Sequence, residues 1–132
     1  MNPGEAGAPR RSVAIVGASR DHRKFGNKAV RAFGKAGWRV FPVNLEASQV
    51  EGLEAFRTLA DIPERIDRVS IYLHPEDTLG ILPTIVTLEP TDVWLNPGSA
   101  DRRVVERGRE LELPIVSGCS IVDIGLSPAD FP

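Results

Sequence analysis

Short apolar runs alternate along this chain with segments in which apolar residues recur at helical spacing. The runs that are typical of buried strands are 13–16, 38–43, 69–73, 92–95 and 113–116. Apolar residues recur at helical spacing after the first run as far as Gly34, after the third run as far as about Leu88, and after the fourth run as far as Leu111. Strands that alternate with helices form βαβ units, which build a parallel sheet with helices on both faces. The sequence therefore predicts an α/β, doubly wound fold.

The length of 132 residues suits one domain with a single core. Residues 1–11 are rich in Gly, Pro and Arg and lack the apolar stretch of a signal peptide, so we expect a flexible N-terminal segment there. Residues 12–132 are expected to form the one domain. No apolar run approaches the roughly 18 residues of a membrane span, and no membrane binding is expected.

Charge and cysteine content narrow the classes of function. Sixteen basic and eighteen acidic residues give a net charge of -2, which argues against nucleic acid or an anionic membrane as partner. Cys119 is the single cysteine, which excludes an internal disulfide and a cysteine-based zinc site. We therefore expect a cytoplasmic protein without a metal site. Whether it forms a homodimer or binds another protein stays open.

In a doubly wound sheet, a ligand binds outside the carboxyl ends of the strands, at the point where the strand order reverses. Function is therefore expected in the loops 17–26, 42–45, 74–75 and 96–99.

The loop after the first predicted strand offers most of the chemistry. Gly17 allows a tight turn, Ser19 supplies a hydroxyl, and Gly26 and Asn27 open the next helix, whose free N–H groups and positive dipole end suit a phosphate. The spacing departs from G-x-G-x-x-G, because Ala18 and Ser19 replace the spacer and the second glycine. The loop is not a Walker A motif either. A phosphate site is predicted here, with a purely structural glycine turn as the alternative.

Cations in the same loop support that prediction. They are Arg20, Arg23 and Lys24, and together they could meet several phosphates. The alternative is a solvated charge cluster.

The end of the second predicted strand distinguishes between nucleotides. An NAD site usually carries an acidic residue there to hold the ribose hydroxyls. This chain reads Pro42, Val43 and Asn44, with Glu46 two residues further on as a substitute. The uncharged end favours an adenine or a phosphorylated ribose.

The histidines and tryptophans give no catalytic constellation. His22 and His74 have no acid or second ligand at a diagnostic spacing, so no catalytic residue is assigned. Trp38 and Trp94 lie in strand segments and are expected in the core.

Several segments, in this order and spacing, resemble the small stand-alone CoA-binding proteins. The resemblance extends to the nucleotide-binding domain of the succinyl-CoA synthetase alpha subunit and of ADP-forming acyl-CoA synthetases. The segments that carry it are 13–19, 37–44, 67–69, 74–76, 93–98 and 115–119. The resemblance covers most of the chain and implies a Rossmann-like sheet of five parallel strands, in the order 3-2-1-4-5, that binds coenzyme A.

The resemblance also implies contacts for each part of the ligand. The residues that would correspond to the pyrophosphate loop are Gly17, Ala18, Ser19 and Arg20. Those that would line the adenosine side are Pro42, Val43 and Asn44. Those that would flank the pantetheine path are His74, Pro75, Asn96, Pro97 and Gly98.

Two classes of function follow. The first is binding of coenzyme A or acyl-CoA by a non-catalytic module with a carrier, sensor or regulatory role. The alternative is an NAD(P)- or other nucleotide-binding enzyme or redox sensor on the same fold.

Cys119 is expected either to be a packing residue or, near the pantetheine end, to form a mixed disulfide with CoA.

Overall fold

The computed structural model of the protein describes residues 10–132, so most of the predicted N-terminal segment 1–11 lies outside the described residues. The strands are β1 (Ser12–Val16), β2 (Arg39–Val43), β3 (Gln49–Val50), β4 (Leu53–Glu54), β5 (Arg68–Ile71), β6 (Asp92–Leu95) and β7 (Ile115–Ser117). The α-helices are α1 (Phe25–Lys35), α2 (Pro75–Leu88), α3 (Arg102–Glu110) and α4 (Ser120–Asp123). Short 3-10 helices cover Leu59–Asp61 and Pro128–Asp130.

The main sheet is parallel throughout and has the order β2-β1-β5-β6-β7. The predicted α/β fold with a five-stranded parallel sheet is confirmed. Phe56 forms a parallel bridge with Val43 of β2. The order corresponds to the 3-2-1-4-5 pattern when the segment at Phe56 is counted as the third strand, at the position beyond β2. The third apolar run of the sequence, 69–73, therefore occupies the fourth position of that pattern, directly beside β1.

Helices cover both faces of this sheet. On one face, α1 and α4 pack on β1 through Phe33 and Ile121. On the other face, α2, α3 and the crossover after β2 bury Leu82, Val104 and Ile66. The chain thus leaves β1 toward one face and leaves the neighbouring β5 toward the other. The loops after these two strands diverge, and a crevice opens between them.

Arg68 fastens the edge of the sheet opposite this crevice. Its side chain is 5% exposed and donates to both carboxylate oxygens of Asp92, at 2.8 and 3.0 Å, and to Asp123 Oδ2 at 2.8 Å. The guanidinium carbon lies 5.1 Å from the Trp38 ring centroid and 4.8 Å from that of Trp94. Arg68 therefore ties β5 to β6 and α4, and it packs between the two tryptophans.

We expect Arg68→Ala to cost about 3 to 5 kcal/mol of unfolding free energy, because it leaves the half-buried carboxylate of Asp92 without its cation. Urea unfolding followed by circular dichroism measures this loss. Arg102→Ala is the control, since Arg102 forms an exposed pair with Glu106 that is worth less than about 0.5 kcal/mol. Equal losses in the two variants would contradict the anchoring role of Arg68.

Candidate functional site

A cleft of about 1090 Å³ opens at the carboxyl ends of β1 and β5. Its walls come from the segments 16–19, 23–26, 43–46, 57–59, 72–84 and 97–99. Pockets that hold small molecules measure roughly 300 to 1,000 Å³. The cleft lies at the topological switch point of the sheet, and its size suits a large, extended ligand.

The loop between β1 and α1 is held by two close backbone approaches. The N–H groups of Gly17 and Ala18 both donate to the Val43 carbonyl, at 3.2 Å, and Gly17 has a φ of 89°. A Cβ on Gly17 would lie 2.5 Å from the Tyr72 carbonyl oxygen, and one on Gly26 would lie 2.1 Å from the Gly17 carbonyl oxygen. Both glycines are therefore required by the fold itself, whether or not a ligand approaches them.

Three backbone N–H groups of this loop have no acceptor among residues 10–132. Hydrogen bonds use the N–H groups of Asp21 and Lys24, but none within residues 10–132 uses those of Ser19, Phe25 and Gly26, which border the cleft. The first turn of α1 has no acidic residue and its N-terminus has no side-chain cap. The helix itself therefore supplies no carboxylate to the positive end of its dipole, and an anion is a complementary ligand.

The cations around the cleft differ in their availability. Arg23 forms a two-point pair with Asp21, with Nε–Oδ1 at 3.1 Å and Nη2–Oδ2 at 3.0 Å. This hydrogen bonding lowers the pKa of Asp21 to about 2 and raises the pKa of Arg23. Lys24 and Arg57 also border the cleft, and neither forms an ion pair within the part of the chain that is described. Lys24 and Arg57 are thus the cations of the cleft wall that have no ion-pair partner among residues 10–132.

Asn44 joins the end of β2 to the phosphate loop. Its Nδ2 donates to the Ala18 carbonyl at 2.8 Å, and its Oδ1 accepts from the N–H groups of Glu46 and Ala47, at 2.8 and 2.7 Å. An aspartate could accept the same two bonds but could not donate to Ala18. The fold therefore selects an amide at the position where NAD-binding sheets usually carry a carboxylate.

A sequence profile of the family described as CoA binding domain matches residues 11–125. This chain belongs to the CoA binding domain family. It is 33% identical over 64 residues, 48% of its length, to the alpha subunit of the ADP-forming acetate–CoA ligase II from Pyrococcus furiosus. The match spans only 14% of that ligase subunit.

Solved structures share the architecture of this CoA binding domain protein. A Thermus thermophilus protein described as cell-free ID.343 superposes with a TM-score of 0.78 and 28% identity, over 93% of this chain and 96% of that one. A conserved hypothetical protein from Pyrococcus furiosus superposes with a TM-score of 0.79 and 25% identity, over 86% and 98% of the two chains. Both therefore match this chain over nearly their whole lengths.

Most residues predicted for the CoA site border the cleft. They are Gly17, Ala18, Ser19, Arg23, Lys24, Gly26, Val43, Asn44, His74, Pro97 and Gly98. The fold thus brings together residues from four loops that are far apart in the sequence. Their contacts with a ligand stay a prediction.

The remaining predicted residues lie beside or behind the cleft. Pro42 is buried in β2, Pro75 is the first residue of α2, and Arg20 borders a separate small pocket. Asn27 is buried and donates to the Ser19 carbonyl at 2.8 Å. Asn96 is also buried and donates to the Ile71 carbonyl at 3.0 Å. These two asparagines shape the loops from behind.

Sequence reasoning missed part of the cleft wall. Phe25, Arg57 and Thr58 border it, as do residues of α2 on a single helical face, namely Asp77, Gly80, Ile81 and Thr84. The spacing of that face, i, i+3, i+4 and i+7, is readable in the sequence once α2 is known to follow the strand beside β1. The segment that contains Arg57 has no period that would reveal it.

Cys119 is half-buried, packs against the core beside α1 and α4, and does not border the cleft. Tyr72 does border it, and burial raises the pKa of its phenol, which therefore stays neutral at physiological pH.

Among residues 10–132, no three His, Cys, Asp or Glu side chains are grouped so that they could hold a metal ion. No helix in the described range is long and apolar enough to cross a membrane.

The Asp21–Arg23 pair predicts a titration. The pKa of Asp21 should be about 2 in the folded protein, below the ordinary 3.8, so the charge pair is complete above pH 3.8 and is lost as the pH falls through 2. Carboxyl ¹³C NMR measures this pKa. Arg23→Ala should raise it toward 3.8, and Arg109→Ala, remote from the loop, should leave it unchanged. A wild-type Asp21 that titrates at 3.8 would contradict the pairing.

Proposed function

We propose that this protein binds coenzyme A or acyl-CoA in the cleft, with residues 12–132 as the binding domain, and that it acts as a non-catalytic module. The supporting observation is the set of N–H groups of Ser19, Phe25 and Gly26, which border the cleft without an acceptor among residues 10–132. Pyrophosphate oxygens are suitable acceptors for such groups at a helix N-terminus. Membership in the CoA binding domain family supports the same ligand.

The charges around the cleft suit the phosphates of CoA. Lys24 precedes α1 and supplies a positive charge beside the loop that would hold the pyrophosphate. Arg57 lies on the crossover after β2, and this wall would face the adenosine side. Its guanidinium, which has no ion-pair partner in the described range 10–132, is suited to the 3'-phosphate, and this group distinguishes CoA from dephospho-CoA and NAD.

A non-catalytic role is supported by the polar groups of the cleft. His74 is exposed at its rim, and no hydrogen bond within the described range orients its ring. A general base usually needs such an orienting partner. Glu76, the nearest acid in sequence, already pairs with Arg103 at 2.6 Å. The activity of the much longer ligase subunit is not assumed for this chain.

One observation favours the NAD(P) alternative. Glu46 borders the cleft two residues after Asn44, where its carboxylate could hold ribose hydroxyls. The same carboxylate would repel a 3'-phosphate placed beside it. Relative affinities for CoA and NAD therefore distinguish the two classes, and we expect CoA to bind more tightly than dephospho-CoA, with NAD no tighter than dephospho-CoA.

Arg57→Ala is expected to weaken CoA binding by one to two decades, because a charge-assisted phosphate contact is worth about 1.5 to 3 kcal/mol. The affinity for dephospho-CoA should hardly change, since that ligand lacks the 3'-phosphate. Isothermal titration calorimetry at low and high salt measures both.

Arg109→Ala removes an exposed cation of α3 that does not border the cleft, so it should leave both affinities unchanged. Equal wild-type affinities for CoA and dephospho-CoA would show that the 3'-phosphate is not recognised. Tighter binding of NAD than of CoA would favour the dinucleotide alternative, and binding of none of them would refute the proposal.

A further inference from the structure

Side chains of α1 hold the phosphate loop, residues 17–24, from the side away from the cleft. Asn27 Nδ2 donates to the Ser19 carbonyl at 2.8 Å, and Arg31 Nη2 donates to the His22 carbonyl at 2.9 Å. Neither Asn27 nor Arg31 borders the cleft. These two bonds therefore fix the course of the loop from behind, between its first turn and the start of α1.

Arg31 also joins the loop to a second segment. Its Nε donates to Asn27 Oδ1 at 2.8 Å, and the same Nη2 that contacts the loop donates to the Phe131 carbonyl at 3.1 Å. No ion pair of Arg31 is found among residues 10–132, so its donors are used on carbonyl and amide oxygens. The donors of a guanidinium form a rigid, planar fork. One orientation of Arg31 therefore serves the loop, α1 and the second segment together.

The second segment comprises residues 127–131, which we call the clasp. Within it, the N–H of Ser127 donates to Asp130 Oδ2 at 3.0 Å. Phe131 is 8% exposed and belongs to the core cluster between α1 and the sheet. Its carbonyl accepts from Lys28 Nζ at 2.7 Å as well as from Arg31. The clasp is thus docked on α1 through a buried ring and through one carbonyl that two cations share.

We propose, on the basis of the function proposed above, that Arg31 is a positioning residue for the phosphate loop and that the docked clasp holds Arg31 in place. The clasp does not border the cleft, yet its Phe131 carbonyl shares Arg31 Nη2 with the His22 carbonyl of the loop. When the clasp undocks, the guanidinium loses an acceptor that fixes it and is free to turn toward solvent. The loop then loses its support, so the clasp controls the affinity of the cleft for the phosphates of CoA.

This coupling has to be reciprocal, because two sites that affect each other's binding do so by the same factor. CoA that fixes the loop therefore holds the clasp more firmly. Local opening of a segment is measured by exchange of its amide hydrogens. In wild type, CoA should slow the exchange of the N–H groups of Asp130 and Phe131, which donate to the Ser127 and Pro128 carbonyls at 2.9 and 3.1 Å.

A turn on the other side of the sheet is the control for exchange. The N–H of Leu113 donates to the Gly108 carbonyl at 3.0 Å, just beyond α3, and neither residue borders the cleft. Its exchange through local opening should stay unchanged when CoA binds. Equal slowing at Leu113 and at the clasp would show general stabilisation by the ligand and would overturn the specific coupling.

Arg31→Lys separates positioning from charge. Lysine keeps the positive charge but replaces the fork by one flexible ammonium group. CoA affinity should fall by at least about fivefold in Arg31→Lys and in Arg31→Gln alike, since coupled sites typically affect each other about 5- to 150-fold. Isothermal titration calorimetry measures this loss. Normal CoA affinity in Arg31→Lys would reduce Arg31 to a source of charge and would overturn its positioning role.

Phe131→Ala tests the clasp while leaving Arg31 in place. It removes the buried ring that anchors the clasp, so CoA affinity should fall by a similar factor. Lys35→Gln is the matched control, because Lys35 Nζ and the guanidinium carbon of Arg31 both lie 5.9 Å from the centroid of the Phe131 ring. Within the described range, no hydrogen bond joins Lys35 to the loop, so Lys35→Gln should bind CoA like wild type. An equal loss in Lys35→Gln would overturn the role of the clasp.

Spectra of the ligand-free proteins test the positioning without reference to CoA. In ¹H–¹⁵N spectra, Arg31→Lys and Phe131→Ala should displace the amide resonances of Ser19 and Phe25, which border the cleft, and should leave those of β6 in place. A variant that does not fold loses dispersion throughout its spectrum, and amide exchange in wild type then decides. Unchanged Ser19 and Phe25 resonances in both folded variants would overturn the proposal.

The outcomes separate this coupling from the proposed function. If wild type binds CoA while Asp130 and Phe131 exchange at unchanged rates, the coupling is wrong and the proposed function stands. If wild type binds no CoA, the proposed function fails, and control of phosphate affinity by the clasp fails with it. Displaced Ser19 resonances in the ligand-free variants would even then support the positioning of the loop by Arg31.

Discussion

The contact between the start of α1 and the end of β1 determines the rest of this site. Gly26 lies so close to the Gly17 carbonyl that even a methyl group would collide with it, at 2.1 Å. This approach brings the N-terminus of α1 to the carboxyl end of the central strand. Because β1 and β5 send their helices to opposite faces, the helix end opens into the switch-point crevice. The position of the proposed anion site thus follows from backbone packing.

Charge then distinguishes the two sides of the crevice. N–H groups without an acceptor among residues 10–132, together with Lys24 and Arg57, make one part of the crevice suitable for phosphates, whereas the carboxylate of Asp77 makes the α2 wall unsuitable for them. Arg23 also borders the crevice, and in the structure its guanidinium pairs with Asp21. A ligand that carries phosphates in its middle and neutral groups at its ends is therefore matched by the arrangement of charges.

The sequence predicted the parallel sheet and most of the cleft because apolar runs and glycine turns are local signals. Gly17 and Asn44 could be assigned from their places after strands, without knowledge of distant contacts. Arg57 could not, since it follows a single bridging residue, Phe56, that has no strand period of its own. Asn96 borders the ligand edge in sequence order, but its side chain turns inward to hold Ile71 and Ser120, a contact set only by tertiary packing.

Amide NMR shows whether phosphate oxygens of CoA accept hydrogen bonds from the N–H groups at the start of α1 that have no acceptor among residues 10–132. A ¹H–¹⁵N titration of the wild-type protein with CoA should move the amide protons of Ser19, Phe25 and Gly26 downfield, more than those of other residues, because each gains an anionic acceptor. Unchanged resonances at these three positions, with CoA bound or with no binding at all, would contradict the account.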